Sequence, residues 1–363
     1  MKKKIILILL SPLLILIMVE VMLRGYFYLF GTEIDRIMYV YSVDEIKERN
    51  NAFMGIPFVG YGPSPAHPEH NQLGFRNREI TIEKPEGTYR IVAVGGSTTY
   101  GFRVEPDESW SAQLETILHE DYGVTQVEVI NTGVMGYTTW NSLANLAFRV
   151  LDLSPDLVIV YHGTNDAKVR WIHPNCFSGQ TPIGGLARGI WKENGPDLSP
   201  LSIYRYVGIG RGWIDNPIEL NSWIYPVTAS DPDCFGDEPM ASPDYLQMNS
   251  SDYFERNLRN IVHLASANDA DVLLSTWAYY PDFVEESLIP VYEEQNQIIE
   301  AITDDLGVYY VDFMGQLPHD EQYWFADGEH QNSEGYYQQA AFYADYIADR
   351  IFSTALRDTS DTD

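Results

Sequence analysis

The sequence predicts an α/β domain: a parallel sheet with helices on both faces, interrupted by one long insertion and preceded by an N-terminal transmembrane helix. Three observations predict it. Short β-branched runs alternate with segments of helical periodicity over most of the chain. The run at 156–161 is entirely apolar after its first residue, as a strand buried on both faces is. Turns rich in Gly, Ser, Thr and Asn follow at their carboxyl ends, where an open α/β sheet holds its ligands.

The elements follow in order. Residues 90–94 form a β-branched run closed by Gly95 and Gly96, and 109–122 carry apolar residues at helical spacing up to Gly123. A strand at 127–131, a helix at 139–153 and a strand at 156–161 continue the alternation. It breaks at 167–248, a stretch rich in Gly, Pro, Trp and Tyr without a sustained period, read as an insertion or lid. Trp171, Trp191, Trp213 and Trp223 are expected mainly to form its own small core. Regularity returns with a helix at 251–267, a strand at 271–277, a helix at 285–305, a strand at 308–313 and a helix at 333–353. The organisation is thus an anchor at 1–31, a proline-punctuated leader at 32–88, one α/β domain at 89–356 and a polar, disordered tail at 357–363.

The chain has 363 residues and a formal charge of −29. That charge repels phosphate backbones and excludes nucleic acid as a partner. It also disfavours docking of the folded part on an anionic lipid surface. The N-terminus is different. Lys2, Lys3 and Lys4 precede an apolar run to Leu23, broken only by Ser11, Pro12 and Glu20. As a helix, the run from Ile5 to Leu23 spans roughly 28 Å, close to a bilayer's hydrocarbon core. Tyr26, Phe27, Tyr28 and Phe30 follow where interfacial aromatics belong, and no Ala-x-Ala cleavage site is present. An uncleaved signal anchor, with the remainder exported, is therefore expected. Glu20 fits only near the outer headgroups.

Export bears on the cysteines. An oxidising compartment permits Cys176 and Cys234 to pair, two free thiols being the alternative. Two cysteines so far apart build no four-ligand zinc pattern. His67-Pro68-Glu69-His70 contains metal-binding residue types but lies among prolines and is read as a solvated loop. No metal or cofactor is expected.

Four polar clusters follow the first, second, third and fifth strands: Gly95 to Gly101, Asn131 to Gly136, Gly163 to Asp166 and, past Gly315, Asp327 to His330. Their residue types fit nucleophilic acyl chemistry. A serine hydroxyl needs a base, and a histidine needs a carboxylate to fix its tautomer. Ser97, His330 and Asp327 supply these. A developing oxyanion needs donors already aimed at it, which the Asn165 amide and the backbone N–H groups of Ser97 and Gly136 offer.

This constellation resembles the SGNH (GDSL-like) hydrolase family. That family has a Gly-Asp-Ser-x-x-x-Gly nucleophile block, a glycine block, a Gly-x-Asn-Asp block and a late Asp-x-x-His block. Ser97 and Gly101 match the first, Gly136 the second, Asn165 the third, and Asp327 with His330 the fourth. Gly96 stands where the family has aspartate. The resemblance implies a three-layer, flavodoxin-like parallel sheet, with Ser97 as nucleophile, His330 as base, Asp327 as its orienting acid, and Ser97, Gly136 and Asn165 as the oxyanion hole. It implies an esterase acting on an acylated glycan or a lipid. An O-acyltransferase acting on a polysaccharide and a non-catalytic glycan-binding envelope protein are the alternatives. Upstream, Asn71-Gln72-Leu73-Gly74-Phe75-Arg76 resembles a segment that precedes the nucleophile block in membrane-anchored members of bacterial envelopes. An α/β-hydrolase elbow is excluded, because Thr99 occupies the position of its second glycine.

Overall fold

A computed structural model describes residues 2–42, 45, 52–179, 201–211, 213 and 241–352. The chain divides into two compact units, residues 1–51 with 187–225 and residues 52–186 with 226–363. In chain order the strands are β1 (Phe53–Ile56), β2 (Gly60–Pro63), β3 (Tyr89–Gly95), β4 (Val127–Asn131), β5 (Leu157–Tyr161), β6 (Asp271–Ser275) and β7 (Tyr309–Val311). The helices are α1 (Lys2–Phe30), α2 (Glu33–Tyr39), α3 (Ser97–Tyr100), α4 (Trp110–Glu120), α5 (Thr139–Asn145) and α6 (Thr164–Lys168). They continue as α7 (Ser202–Gly210), α8 (Asp252–Ser266), α9 (Ile289–Leu306), α10 (Phe313–Gln316) and α11 (Ser333–Ile347).

In the larger unit β3 to β7 form one parallel sheet in the order β4-β3-β5-β6-β7. That is the expected flavodoxin-like order, with its switch point between β3 and β5. Alternate residues of each strand enter opposite cores, because side chains alternate across a sheet. Ile91, Ala93, Leu157, Ile159 and Leu273 pack with Trp110 and Leu114 of α4 and Tyr343 and Ile347 of α11. Val92, Val94, Val158, Val160 and Leu274 pack with Leu258 and Ile261 of α8 and Ile299 and Ile302 of α9. Both faces are covered, and the central strand β5 reads as a continuous, fully buried apolar run.

The structure departs from expectation in several places. The helix expected over 139–153 stops at Asn145, passes through a π-turn (Leu146–Val150) and a 3-10 turn (Leu151–Leu153), and ends at Ser154 in the left-handed region. The leader is not all loop, since β1 and β2 form an antiparallel hairpin within it. The long insertion contains α7. Its neck is closed by an antiparallel bridge between Ile172 and Ala241. Trp171 packs against the main core rather than a core of the insertion, and Trp213 is exposed. Trp191, Trp223 and the expected tail lie outside the described residues. Cys176 is disulfide-bonded, and its expected partner Cys234 also lies outside them.

The smaller unit contains α1, α2 and α7. Its apolar N-terminal run does form one helix, continuous through Pro12. Among the described residues, however, no helix is long and apolar enough to cross a membrane, so the expected transmembrane helix is not found there. The second half of α1 carries two charged side chains, and both are engaged within this unit. The Glu20 carboxylate accepts the N–H groups of Ser202 and Ile203 at the start of α7, each at 2.9 Å, and Arg24 donates to the Val40 carbonyl at 2.8 Å.

Candidate active site

All the residues singled out for chemistry belong to the larger unit. β3 delivers the chain through Gly95 and Gly96 into the four-residue helix α3, with Ser97 at its first position. A helix's first N–H groups have no partner within the helix, so the Ser97 amide points outward beside its hydroxyl. Arg76 holds the other end of α3. Its buried guanidinium donates to the carbonyls of Tyr100 (3.0 Å), Gly101 (2.6 Å) and Val104 (2.6 Å) and pairs with Glu69 at 2.9 Å. The Asn71 side chain accepts from the N–H groups of Leu73 and Phe75, and that turn brings Arg76 into position. The upstream segment singled out in the sequence therefore braces the nucleophile helix.

Ser97 and His330 are 233 positions apart, yet His330 Nε2 lies 2.7 Å from Ser97 Oγ. His330 Nδ1 lies 3.1 Å from Asp327 Oδ2. Asp327 Oδ1 accepts the backbone N–H groups of Glu329 (3.0 Å) and His330 (2.9 Å), so the carboxylate ties its own loop together. Burial raises the Asp327 pKa, but the His330 side chain and these two amides outweigh it and hold the carboxyl below its usual range. Gly328, at φ 66°, makes the turn, and a Cβ there would stand 2.8 Å from the Tyr280 carbonyl.

The other two clusters meet beside Ser97. After β4, the Tyr137 N–H bonds the Val134 carbonyl across a turn that puts Gly136 at φ 74°, a conformation that favours glycine. Tyr61 of β2 braces this turn. Its hydroxyl donates to the Met135 carbonyl at 2.8 Å, and the Tyr137 hydroxyl donates back to the Tyr61 carbonyl. One N–H of the Asn165 amide donates to the Tyr137 carbonyl at 2.8 Å, and the second makes no hydrogen bond among the described residues. A Cβ on Gly96 would stand 2.8 Å from Asn165 Nδ2 and 3.2 Å from the Tyr137 carbonyl, so a side chain there would require the Asn165 amide to shift. Behind Asn165, the buried Asp166 accepts the Thr139 N–H and hydroxyl at the start of α5. Burial pushes its pKa up to about 7 despite those bonds.

The His67–His70 segment corrects the expectation of a solvated loop. His70 is buried, with Nδ1 on the Ser64 carbonyl (2.9 Å) and Nε2 on the Tyr100 hydroxyl (2.8 Å). Among the described residues no three His, Cys, Asp or Glu side chains are grouped to hold a metal. Burial lowers the His70 pKa from 6.5 to about 4; the Ser64 bond and Glu69 oppose this, and His67 and Arg76 add to it. A depressed histidine stabilises the fold above pH 6.5, and that contribution is lost as pH falls towards 4. Wild type is therefore expected to lose about 2–3 kcal/mol more than His70→Gln between pH 7 and 4. Calorimetric unfolding of both proteins across that range measures the difference. Parallel pH curves would refute it.

Sequence reasoning missed four residues here. Arg103, in the left-handed region at φ 71°, donates to Asp327 Oδ2 at 3.1 Å. The Phe102 ring meets His330 edge-on with centroids 5.3 Å apart. Lys168 and Glu329 pair at 2.6 Å beside the same loop. Only Phe102 and Glu329 stood inside or next to a recognised block; the other two carried no local signal.

Fold and side-chain geometry together have the form of a serine hydrolase on an α/β sheet. Residues 93–338 match the model of the GDSL-like lipase/acylhydrolase family. That span is more than half of the chain, which belongs to this family of ester-hydrolysing enzymes. An arylesterase of Vibrio mimicus is 33% identical over 81 residues, covering 22% of this chain. The match spans only 40% of the length of that curated relative. Among solved structures, the lipase/acylhydrolase of Enterococcus faecalis covers 72% of this chain and 97% of its own, at 18% identity and a TM-score of 0.44. A catalytic mutant of an acetylxylan esterase from Geobacillus stearothermophilus covers 72% and 94%, at 14% identity and a TM-score of 0.41.

Proposed function

We propose that this chain is an exported, membrane-anchored serine esterase that cleaves a carboxylic ester of an acylated glycan or a lipid through an acyl-enzyme. One observation carries the chemistry: Ser97 Oγ, His330 Nε2, His330 Nδ1 and Asp327 Oδ2 form an unbroken chain of 2.7 Å and 3.1 Å contacts. Ser97 Oγ attacks the ester carbonyl carbon while His330 takes its proton. Asp327 holds the Nδ1–H and stabilises the imidazolium. Negative charge collects on the carbonyl oxygen, which faces the free N–H of Asn165 and the backbone N–H groups of Ser97 and Gly136. His330 returns the proton to the departing alcohol. Water, deprotonated by His330, then attacks the acyl-enzyme and releases the acid and Ser97.

Two features support export and anchoring: the basic, apolar N-terminus that forms α1, and a disulfide-bonded Cys176. Fluorophosphonate labelling of the full chain, with esters of rising acyl length, tests the reading. Ser97-dependent labelling is expected, and unlabelled wild type refutes it. Preference for acetyl esters would assign the substrate to glycans, and preference for long chains to lipids.

Restoring the family's aspartate supplies a separate check. In Gly96→Asp the new Cβ displaces the Asn165 amide, so kcat/KM on an aryl ester is expected to fall at least about tenfold with little change in Tm. Undiminished activity would show that Asn165 does not serve the oxyanion from its present position.

A further inference from the structure

Glu329 is a buried carboxylate two residues from Asp327 and adjacent to His330, and the proposed chemistry gives it no task. Both of its oxygens are engaged. Oε2 accepts the Lys168 ammonium at 2.6 Å, and Oε1 accepts the Tyr292 hydroxyl at 3.0 Å. The Tyr292 oxygen lies 2.9 Å from Thr164 Oγ1. Because a carboxylate only accepts, the Tyr292 proton points at Glu329, and the Thr164 hydroxyl must donate to Tyr292. Thr164 and Lys168 are the first and last residues of α6, the helix that carries Asn165. One carboxylate from the acid–base loop therefore grips both ends of the oxyanion helix.

From this juxtaposition we infer that Glu329 and Lys168 are a positioning pair, a strut that sets the distance between His330 and the Asn165 amide. The inference rests on the serine-esterase reading above. A buried ion pair adds little net stability, because desolvation consumes most of its Coulomb attraction. What it supplies is register. Its register passes to the catalytic histidine because Asp327 Oδ1 ties the Glu329 and His330 amides into one rigid turn. The neighbouring charges are consistent with this division of labour. Arg103 engages Asp327 from the side of the nucleophile loop, while Lys168 engages Glu329 from the side of α6. Neither cation touches Ser97 or the His330 ring among the recorded bonds and ring contacts of the described residues, so the pair acts through the loop.

The test uses the full chain. Glu329→Gln keeps the volume and one hydrogen bond, and in Lys168→Met the lost ammonium is already about a quarter exposed (28%). Each is expected to lower kcat about 10- to 100-fold with KM within twofold, and to slow fluorophosphonate labelling in proportion. Lys168→Arg should recover most of the loss. The Glu329→Gln/Lys168→Met double variant should be no slower than the worse single variant, because both remove one strut. Wild-type rates in both single variants, or losses that add in the double variant, overturn the proposal. A variant whose loss of rate is matched by an equal loss of folded protein in circular dichroism counts against it too. Wild type that is itself unlabelled overturns instead the esterase reading on which the strut depends.

Discussion

Ser97→Ala is expected to lower ester turnover by at least about 10⁴-fold and to abolish fluorophosphonate labelling, while Tm stays within a few degrees of wild type. The reasoning is geometric. Among the described residues Ser97 Oγ is the atom that His330 Nε2 addresses, at 2.7 Å, and the substitution removes that atom without adding volume. The helix it begins is held by contacts that do not involve the hydroxyl, chiefly Arg76 on the carbonyls of Tyr100, Gly101 and Val104. Activity and folding should therefore separate cleanly. Steady-state kinetics on an aryl ester, paired with thermal unfolding, reads both. Retention of more than about a hundredth of the wild-type rate would mean that another residue attacks the substrate.

Asn165→Ala should lower kcat about 100-fold or more while KM stays nearly constant. Its amide has two N–H groups, and the Tyr137 carbonyl takes one at 2.8 Å. That bond fixes the plane of the amide before substrate arrives, so the remaining N–H costs no reorganisation when charge develops. The interaction strengthens only as the carbonyl oxygen becomes negative, so it acts on the transition state rather than on substrate binding. A change confined to KM would reassign Asn165 to substrate recognition. The same outcome would weaken the case for the strut, since the strut positions this residue.

These expectations rest on residues whose places are largely legible in the sequence. The strands were visible because parallel strands buried on both faces cannot tolerate polar interruptions; β5 is Leu-Val-Ile-Val-Tyr, every residue buried. Ser97, Asn165, Asp327 and His330 were visible because polar residues in the segments that follow the strands' carboxyl ends converge on one edge of such a sheet. Other features left no trace in local pattern. Helices α3 and α6 span only four and five residues, too short to show periodicity. The π-turn after Asn145 has a period close enough to 3.6 that 139–153 reads as one helix. The hairpin β1–β2 contains three glycines and a proline in eight strand residues and reads as loop. The Lys168–Glu329 and Arg103–Asp327 pairs join side chains 161 and 224 positions apart, a separation at which spacing carries no information.

The bridge between Ile172 and Ala241 has an evolutionary corollary. It closes the neck of the insertion a few residues beyond α6, and the Ser242 N–H bonds the Trp171 carbonyl at 2.8 Å beside it. A chain that leaves and returns at one point is charged only logarithmically for its length: doubling it costs about 0.6 kcal/mol of closure entropy. The segment beyond the neck can therefore be lengthened, shortened or exchanged between relatives with little penalty to the sheet beneath it. Such a neck is an expansion joint, through which new sequence can be admitted while the four polar clusters at the sheet edge keep their spacing.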